Sequence, residues 1–475
     1  MSYTPDVHPP EQAAFLASSR KHVLMITNHG IHQWRIIPGL PDTGGQNAFV
    51  NQFTAALASL GFRVTIVNRG GYPHPVTGEW RKGVRYRGGH ERILYLEDGL
   101  PDFVRKEDMD ERIPHLVESL KRSIDAEVDA GVDLIISHYW DGAKLGVLYN
   151  RTLSQQAKHI WIPHSLGAIK KRNVSPQQWP DLRIDERISV ERSLMSGEEL
   201  DGIVATSSRT RQSLKEDYGY AGRILFLPPC VDPERFHPRD VPDGDEIWTF
   251  LSQRCGLSPE EVHRSRLVTE ISRTDGTKRK DVLIKAFAAT QGRIPNSLLV
   301  VSIDENAGTL AEDLMQLIHS LDLQDRVAVV GSISELLPTV YAVTDVYCTP
   351  SVMEGFGMSA QEAAATAVPV VSSHLVPFVS EYLLGEEVEF CEFAGGDRVL
   401  RRGEGAIVVP ADDVDGFACA LEMLLADDDL RKEMGANAYH ITIPYFTWPN
   451  MVSTFLGQIG VRPGDGAARA HTPAT

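Results

Sequence analysis

The sequence predicts an α/β protein made of two doubly wound, Rossmann-like domains. Short apolar runs of the buried-strand type alternate with segments of helical periodicity, beginning with His22–Asn28, Phe49–Leu60 and Arg63–Asn68. At 475 residues the chain is too long for one ordinary core. Prolines at 228, 229, 233, 238 and 242 stiffen a segment near its middle, where the first series of strands ends. On this reading residues 1–20 are an N-terminal extension, 21–240 a first domain and 241–440 a second. Residues 441–460 carry a helix, and 461–475 form a small, polar tail expected to be flexible.

Composition excludes several classes of function. With 42% hydrophobic and 23% charged residues the chain reads as an ordinary globular protein. A net charge of −17 argues against nucleic acid or an anionic membrane surface as the main partner, because no basic excess exists to displace counterions. The first twenty residues lack an apolar stretch behind basic residues, and no run of about 18 apolar residues occurs, so neither a signal peptide nor a membrane span is expected. The five cysteines, at 230, 255, 348, 391 and 419, are scattered without a C-x-x-C, which suits reduced thiols in the cytoplasm rather than disulfides or a zinc site. No metal site is expected either: Asp141 and Asp304 do not form a D-x-D.

Taken in order, the first strand leads into a loop ending Leu40-Pro-Asp-Thr-Gly-Gly-Gln-Asn47. A helix follows to Leu60, stops at Gly61, and gives way to the second strand. This βαβ opening has a glycine pair at its first turn but no G-x-G-x-x-G, and the second strand closes on Asn68 rather than an acid, which disfavours a nicotinamide dinucleotide. Arg81–Glu97 reads as strands or a hairpin and Asp108–Ala130 as a charged amphipathic helix. The strands Val132–Ser137 and Lys158–Ile162 end in His138-Tyr-Trp-Asp-Gly-Ala143 and Pro163-His-Ser-Leu-Gly-Ala-Ile-Lys170, which points His138 and His164 towards one crevice. A helix over Asp185–Met195, a strand over Gly202–Thr206, a helix over Ser208–Tyr218 capped by Ser207, and a strand over Arg223–Pro228 complete the domain.

The second domain follows an acidic insertion, Asp243–Arg266, read as helical from Pro259. Its first strand, Leu267–Ser272, runs into a turn where Arg273 and Lys278 are well placed to neutralise a pyrophosphate leaving group; Lys280 is a near neighbour of the second. Strands at Leu298–Ser302, Val327–Val330 and Asp345–Thr349 follow, and then a turn, Glu354-Gly-Phe-Gly357, before an Ala-rich helix to Ala365. Free N–H groups at such a helix start, with glycines allowing close approach, suit a phosphate or sugar oxygens. Glu354 and Glu362 bracket the turn, and carboxylates would repel phosphate. They should hold hydroxyls, which a nucleotide sugar carries on both ribose and hexose. Val368–Ser373 is a further strand, 385–405 a polar insertion, Ile407–Pro410 the last strand, and Val414–Ala426 a helix.

The spacing of Glu354 and Glu362 resembles the E-x7-E signature of retaining GT-B glycosyltransferases. The stretch Leu40–Asn51, with the H-Y-x-D and H-S-L-G blocks at 138 and 164, resembles the sucrose-phosphate synthase and sucrose synthase-like members of that family. The resemblance covers about residues 22–460, and includes Phe446-Thr-Trp-Pro-Asn450, which resembles the family's segment that crosses back onto the first domain. It implies two facing domains with the active site in the interdomain cleft, and transfer of a hexosyl group with retention. In that reaction the leaving phosphate itself takes the acceptor's proton, without a cofactor and without obligatory Mg²⁺. By resemblance, the donor phosphates fall to Gly44, Gly45, Arg273 and Lys278. The donor hexose falls to Glu354 with His164 beside it, the ribose to Glu362, and Gly355, Phe356 and Gly357 belong to the donor turn. Gln46, His138, Tyr139, Ser165, Lys170 and Arg187 fall to the acceptor and its phosphate; His164, Arg273, Lys278 and Glu354 are the implied catalytic set.

UDP-glucose and fructose 6-phosphate are the leading substrates on this resemblance. Two departures keep alternatives open. Asp102 stands where the family carries a lysine facing the acceptor phosphate, with Arg105 and Lys106 nearby as substitutes, and His374-Leu-Val-Pro377 stands where many relatives carry Gly-Gly-Pro. Another donor, such as GDP-mannose or ADP-glucose, or a non-phosphorylated acceptor remains compatible. From other classes, a pyridoxal-phosphate phosphorylase lacks its lysine signal, and a silent sugar-nucleotide sensor would have lost the site residues that are all present here.

Overall fold

The computed structural model describes residues 10–463 except 38–39, 128–130, 332 and 334. The chain divides into two compact units, one reaching Pro228 and resuming at Trp448, the other spanning Pro229–Thr447. Each is built on an eight-stranded sheet with helices in its connections, so the two doubly wound α/β domains predicted from sequence are present.

In the first unit the strands are β1 (His22–Ile26), β2 (Arg63–Arg69), β3 (Gly83–Arg87), β4 (Glu91–Leu96), β5 (Leu134–His138), β6 (Lys158–Ile162), β7 (Gly202–Ala205) and β8 (Ile224–Phe226), in the order β3-β4-β2-β1-β5-β6-β7-β8. All pair in parallel except the edge strand β3, antiparallel to β4. Every residue of β1, β2 and β5 is buried, as a parallel sheet covered on both faces requires. The chain builds outward from β1 through β2 and then returns to place β5 on the other side of β1. That reversal brings the loops after β1 and β5 side by side.

The second unit repeats the plan. Its strands are β9 (Arg266–Glu270), β10 (Ser297–Ser302), β11 (Val327–Val330), β12 (Val346–Thr349), β13 (Val370–Ser373), β14 (Glu389–Phe393), β15 (Arg398–Arg402) and β16 (Ala406–Val409), in the order β11-β10-β9-β12-β13-β16-β15-β14. Here the reversal lies between β9 and β12. The loops that follow these two strands are joined by Val352 N–H and the Ser351 hydroxyl, both donating to the Thr277 carbonyl at 2.8 and 3.1 Å.

Several expectations are corrected or filled in. The extension before residue 21 is packed where it is described: a helix, Pro10–Leu16, buries Phe15 edge-on to His22 and Tyr86, with the guanidinium groups of Arg63 and Arg92 over its ring. The helix expected from Asp108 begins at Ile113 and ends at Asp125, after two short 3₁₀ turns; Pro114 sits in its first turn, where a missing N–H is harmless. The first unit ends at Pro228 rather than 240, because Val231 and Phe236 are buried in the core of the second. The acidic insertion contains two helices, Glu246–Ser252 and Pro259–Arg264, which bury Ile247, Trp248 and Leu251 against Leu267, Leu298 and Val300. The polar insertion 385–405 is the antiparallel pair β14–β15; an edge hairpin with one open face needs few apolar residues, so its sequence reads as a loop. Within 441–460, Thr442 closes a second-unit helix, Asp428–Thr442. The helix Trp448–Ile459 packs in the first unit, with Trp448 stacked on Phe53 and edge-on to Phe49. Among the described residues no helix is long and apolar enough to cross a membrane.

Because Phe15 is 1% exposed and contacts two strands, Phe15→Ala is expected to destabilise the first unit by about 3–5 kcal/mol. Urea titration should show a lowered midpoint; an unchanged midpoint would mean the N-terminal helix is only loosely attached.

Candidate active site

In the second unit the two reversal-point loops bring the implied donor residues together. The Lys278 ammonium pairs with the Glu354 carboxylate, tying the turn after β9 to the turn after β12. Lys280, the neighbour that sequence could confuse with it, is 2% exposed and bound to Glu270 at 2.8 Å and the Ser302 hydroxyl at 2.9 Å. Lys280 is therefore a core cation with satisfied hydrogen bonds, whereas Lys278, also buried, is the lysine that meets Glu354. Between them Arg279 takes a left-handed backbone, φ 51°. Arg273 is 82% exposed and, among the described residues, has an ion-pair contact with Asp275 at 3.5 Å.

The Glu354–Gly357 turn is held by its surroundings. Gly357 has φ 116°, and a Cβ there would lie 2.6 Å from Val376 Cγ1, so this glycine is required twice over. Phe378 N–H donates to the Phe356 carbonyl at 2.8 Å, binding the turn to the segment that follows His374–Pro377. Gly355 is exposed, whereas the Phe356 ring is turned away into a cluster: it is 3% exposed and packed against Phe378, Tyr382 and Phe446, which leaves the backbone of the turn as what Phe356 can offer a ligand. Glu362 lies half-buried in the helix Met358–Ala365. Burial pushes its carboxyl up to about 7, against the pull of the Arg235 guanidinium.

In the first unit the reversal point is crowded with polar groups. Gly45 opens the helix Gly45–Ser59, Gly44 N–H donates to Asn47 Oδ1 at 2.9 Å, and the Gln46 amide donates to the Thr27 hydroxyl at 3.0 Å. His138, expected to touch the acceptor, is 0% exposed; its Nδ1 lies 2.9 Å from Nε2 of His164. Burial pushes His164 down to about 3 and His138 well below the usual imidazole range, so both rings are neutral. Three non-glycine residues in these loops, Asp42, Tyr139 and His164, hold left-handed backbones at φ 50°, 63° and 55°.

Arg187 organises the residues that the resemblance assigns to an acceptor. It is 5% exposed on the helix Ile184–Ser196 and donates to Glu191 at 2.8 Å, to the Tyr139 hydroxyl, and to the Ser165 carbonyl and hydroxyl at 2.6 and 3.1 Å. Glu191 is in turn held by Gly167 N–H at 2.9 Å and by the Tyr218 hydroxyl. Tyr139 and Arg187 line a pocket with Lys106, Lys170 and Arg183, and with the acids Glu107, Asp110 and Glu186. Lys106 also pairs with Asp42, whose carboxyl it holds below the usual range despite burial. Glu107 lies between the two lysines, 3.3 Å from Lys106 and 3.8 Å from Lys170. Burial lowers the Lys170 pKa, and the neighbouring Lys106 and Arg187 lower it further.

The Asp102 departure resolves structurally. Asp102 is exposed and contributes its carbonyl to Arg69 at 2.8 Å; Arg105 is exposed and bound to Asp108 and Asp181. Only Lys106 lines the pocket. Sequence reasoning did not select His29, Asp42, Asp141 or Arg183. The polar run Asn28–His29 directly after an apolar strand was a signal for the first; His29 Nδ1 meets Asp141 Oδ1 at 2.9 Å, and both are buried.

Comparison with known proteins bears on the family and the fold. The family model described as Glycosyltransferase Family 4 matches residues 43–235, and that described as Glycosyl transferases group 1 matches 258–441. Mannosylfructose-phosphate synthase of Agrobacterium fabrum is 29% identical over 362 residues, covering 74% of this chain and 75% of that protein. D-inositol 3-phosphate glycosyltransferase of Nocardia farcinica is 26% identical over 447 residues, covering 91% and 90%. Among solved structures, sucrose-phosphate synthase from Thermosynechococcus elongatus superposes with a TM-score of 0.72 at 24% identity, over 93% of this chain and 98% of that one, a likeness of fold.

Removing one partner of the buried Arg187–Glu191 pair strands the other. Arg187→Ala is expected to cost about 3–5 kcal/mol, read as a lowered thermal midpoint, whether or not substrate is present. A midpoint equal to wild type would show that the network is not structural.

Proposed function

The chain belongs to the GT-B glycosyltransferases, and from that premise we propose that it moves a hexosyl group, with retention, from a nucleoside-diphosphate sugar to a phosphorylated sugar. The observation that carries this reading is the pocket of the first unit, where Lys106, Lys170, Arg183 and Arg187 converge around Tyr139. Guanidinium and ammonium groups in a partly desolvated pocket suit a phosphate monoester. The names of the three similar proteins each carry a phosphate, which supports the same class of acceptor. Fructose 6-phosphate is the lead, and UDP-glucose the leading donor; the name of the Agrobacterium relative favours a mannosyl nucleotide as the second reading.

Chemistry follows from the charges. Departure of the nucleoside diphosphate builds negative charge, which Arg273 and Lys278 neutralise without a divalent ion. In the free chain Lys278 is held by Glu354; an arriving diphosphate competes for the lysine, and the released carboxylate becomes available to hexose hydroxyls. Glu362 accepts from the ribose. His164, neutral and half-buried, orients the sugar rather than attacking it, and the leaving phosphate takes the acceptor's proton.

The deciding experiment measures diphosphate release from UDP-glucose, GDP-mannose and ADP-glucose, each with fructose 6-phosphate, fructose or no acceptor, with and without a chelator. Turnover confined to fructose 6-phosphate and indifferent to the chelator is expected, with Lys170→Ala raising the acceptor KM roughly 10- to 100-fold. Equal rates with fructose would overturn the phosphate assignment, and inertness towards every donor would favour a sugar-nucleotide sensor.

A pH dependence follows from Glu362. Its carboxylate form is needed to accept two hydroxyls, and its free-chain value of about 7 means that acid protonates it. The donor KM should therefore rise as pH falls through about 7, and Glu362→Gln should raise KM throughout and flatten the profile. A slope surviving in that variant would place the titrating group elsewhere.

A further inference from the structure

The contact between the two strand-end histidines constrains more than their position. His138 Nδ1 and His164 Nε2 are 2.9 Å apart, with ring centroids at 5.1 Å and planes inclined by 24°. Phe49 covers both rings edge-on. Burial keeps both imidazoles neutral, so each has a single N–H and the contact has one donor and one acceptor. The far nitrogen of His138, Nε2, is buried and finds no partner among the described residues. His164 is half-buried, and its own far nitrogen, Nδ1, takes no partner among them.

Two proton arrangements satisfy the contact. If His164 donates from Nε2, His138 must carry its own proton on Nε2, as a buried N–H with nothing to donate to. If His138 donates from Nδ1, its Nε2 is bare and only an acceptor goes unused. Orphaned buried N–H groups are rarer in folded proteins than acceptors left short of a partner. We infer that His138 is a positioning residue that fixes His164 in its Nδ1–H tautomer, so that His164 meets the transferred sugar as a hydrogen-bond donor.

The assignment rests on the hexosyl-transfer reading for the identity of the sugar, and on the chain's own geometry for the tautomer. In this state His164 has no free basic nitrogen: Nε2 is occupied by His138 and Nδ1 carries the proton. It cannot serve as general base to an acceptor hydroxyl, and it favours a sugar oxygen with lone pairs to offer. His138 does this without touching substrate.

The test reads the tautomer directly in the full chain without substrate, by two-bond proton–nitrogen correlation on protein labelled with ¹⁵N-histidine. The 16 histidines make assignment necessary, and the signals lost in His164→Asn provide it. Wild type is expected to show His164 as Nδ1–H. His138→Phe removes the donor and should shift His164 towards Nε2–H, with kcat/KM for the donor falling roughly tenfold through loss of one hydrogen bond. His138→Gln can donate from its amide and should restore the wild-type tautomer. His164 found as Nε2–H in wild type, or an Nδ1–H signal surviving in His138→Phe, would overturn the inference. If His138→Phe does not fold, the wild-type and His138→Gln spectra decide. Failure of every donor to turn over would overturn the hexosyl-transfer reading alone, because the tautomer is read without one.

Discussion

A parallel sheet cannot turn back on itself through a hairpin; each strand must be followed by a crossover to the next. A sheet built in this way and covered on both faces has to reverse its strand order somewhere. At that place the chain leaves two neighbouring strands in opposite directions, opening a crevice at their carboxyl ends. Both units obey this constraint, between β1 and β5 in one and between β9 and β12 in the other. The chemistry-bearing residues gather there as a consequence. Lys278 and Glu354 follow β9 and β12, while His29 and His138–Asp141 follow or end β1 and β5.

Around these points the same residue types divide into those that support the site and those left free to act. Lys280 and Lys278 are two positions apart and both are buried, yet one is bound to Glu270 and Ser302 and the other to Glu354 in the turn after β12. The left-handed Arg279 between them gives this stretch of chain its change of direction. His138 and His164 divide likewise into a fully buried ring and a half-buried one. Arg187 belongs to the supporting class despite lining a pocket, since most of its donors are committed to Glu191, Tyr139 and Ser165. What it offers a ligand is chiefly a rigid local positive potential, while Lys106 and Lys170, each about one-quarter exposed, bring ammonium groups to the pocket, the first of them already paired with Asp42.

The alternation of apolar runs and amphipathic stretches carried the fold class, because strands covered on both faces must be apolar throughout: β1, β5 and β12 stand within a residue or two of where the apolar runs place them. The hairpin β14–β15 was illegible for the converse reason, since an edge with one open face can be written in Glu and Arg. At the site, motifs located the loops but not the direction of each side chain. Nothing in the string Glu354-Gly-Phe-Gly357 says that the aromatic ring turns into a cluster with Phe378 and Phe446. Asp102 misled for a related reason: a position was compared along the chain, whereas the 3₁₀ turn that begins at Lys106 swings a later side chain into the pocket.

Backbone strain ties these threads together. Asp42, Tyr139 and His164 hold left-handed conformations that a non-glycine residue adopts at a cost of about 1–3 kcal/mol each. Each is over-determined. Asp42 is gripped by the ammonium and backbone N–H of Lys106, and its carbonyl comes so close to Gly30 that no side chain fits there. Tyr139 is held at both ends, its carbonyl accepting from the Trp161 indole and its hydroxyl from Arg187. His164 is held by His138 on its ring, and Ser165 N–H closes back on the Pro163 carbonyl at 2.6 Å. A loop free to relax would shed this cost. That three such residues persist in the loops after β1, β5 and β6 means that the surrounding hydrogen bonds outweigh it, and what they maintain is the orientation of three side chains at neighbouring strand ends. The network around Arg187 and the histidine pair thus does more than stabilise a domain. It holds in advance a geometry that a ligand would otherwise have to impose on binding.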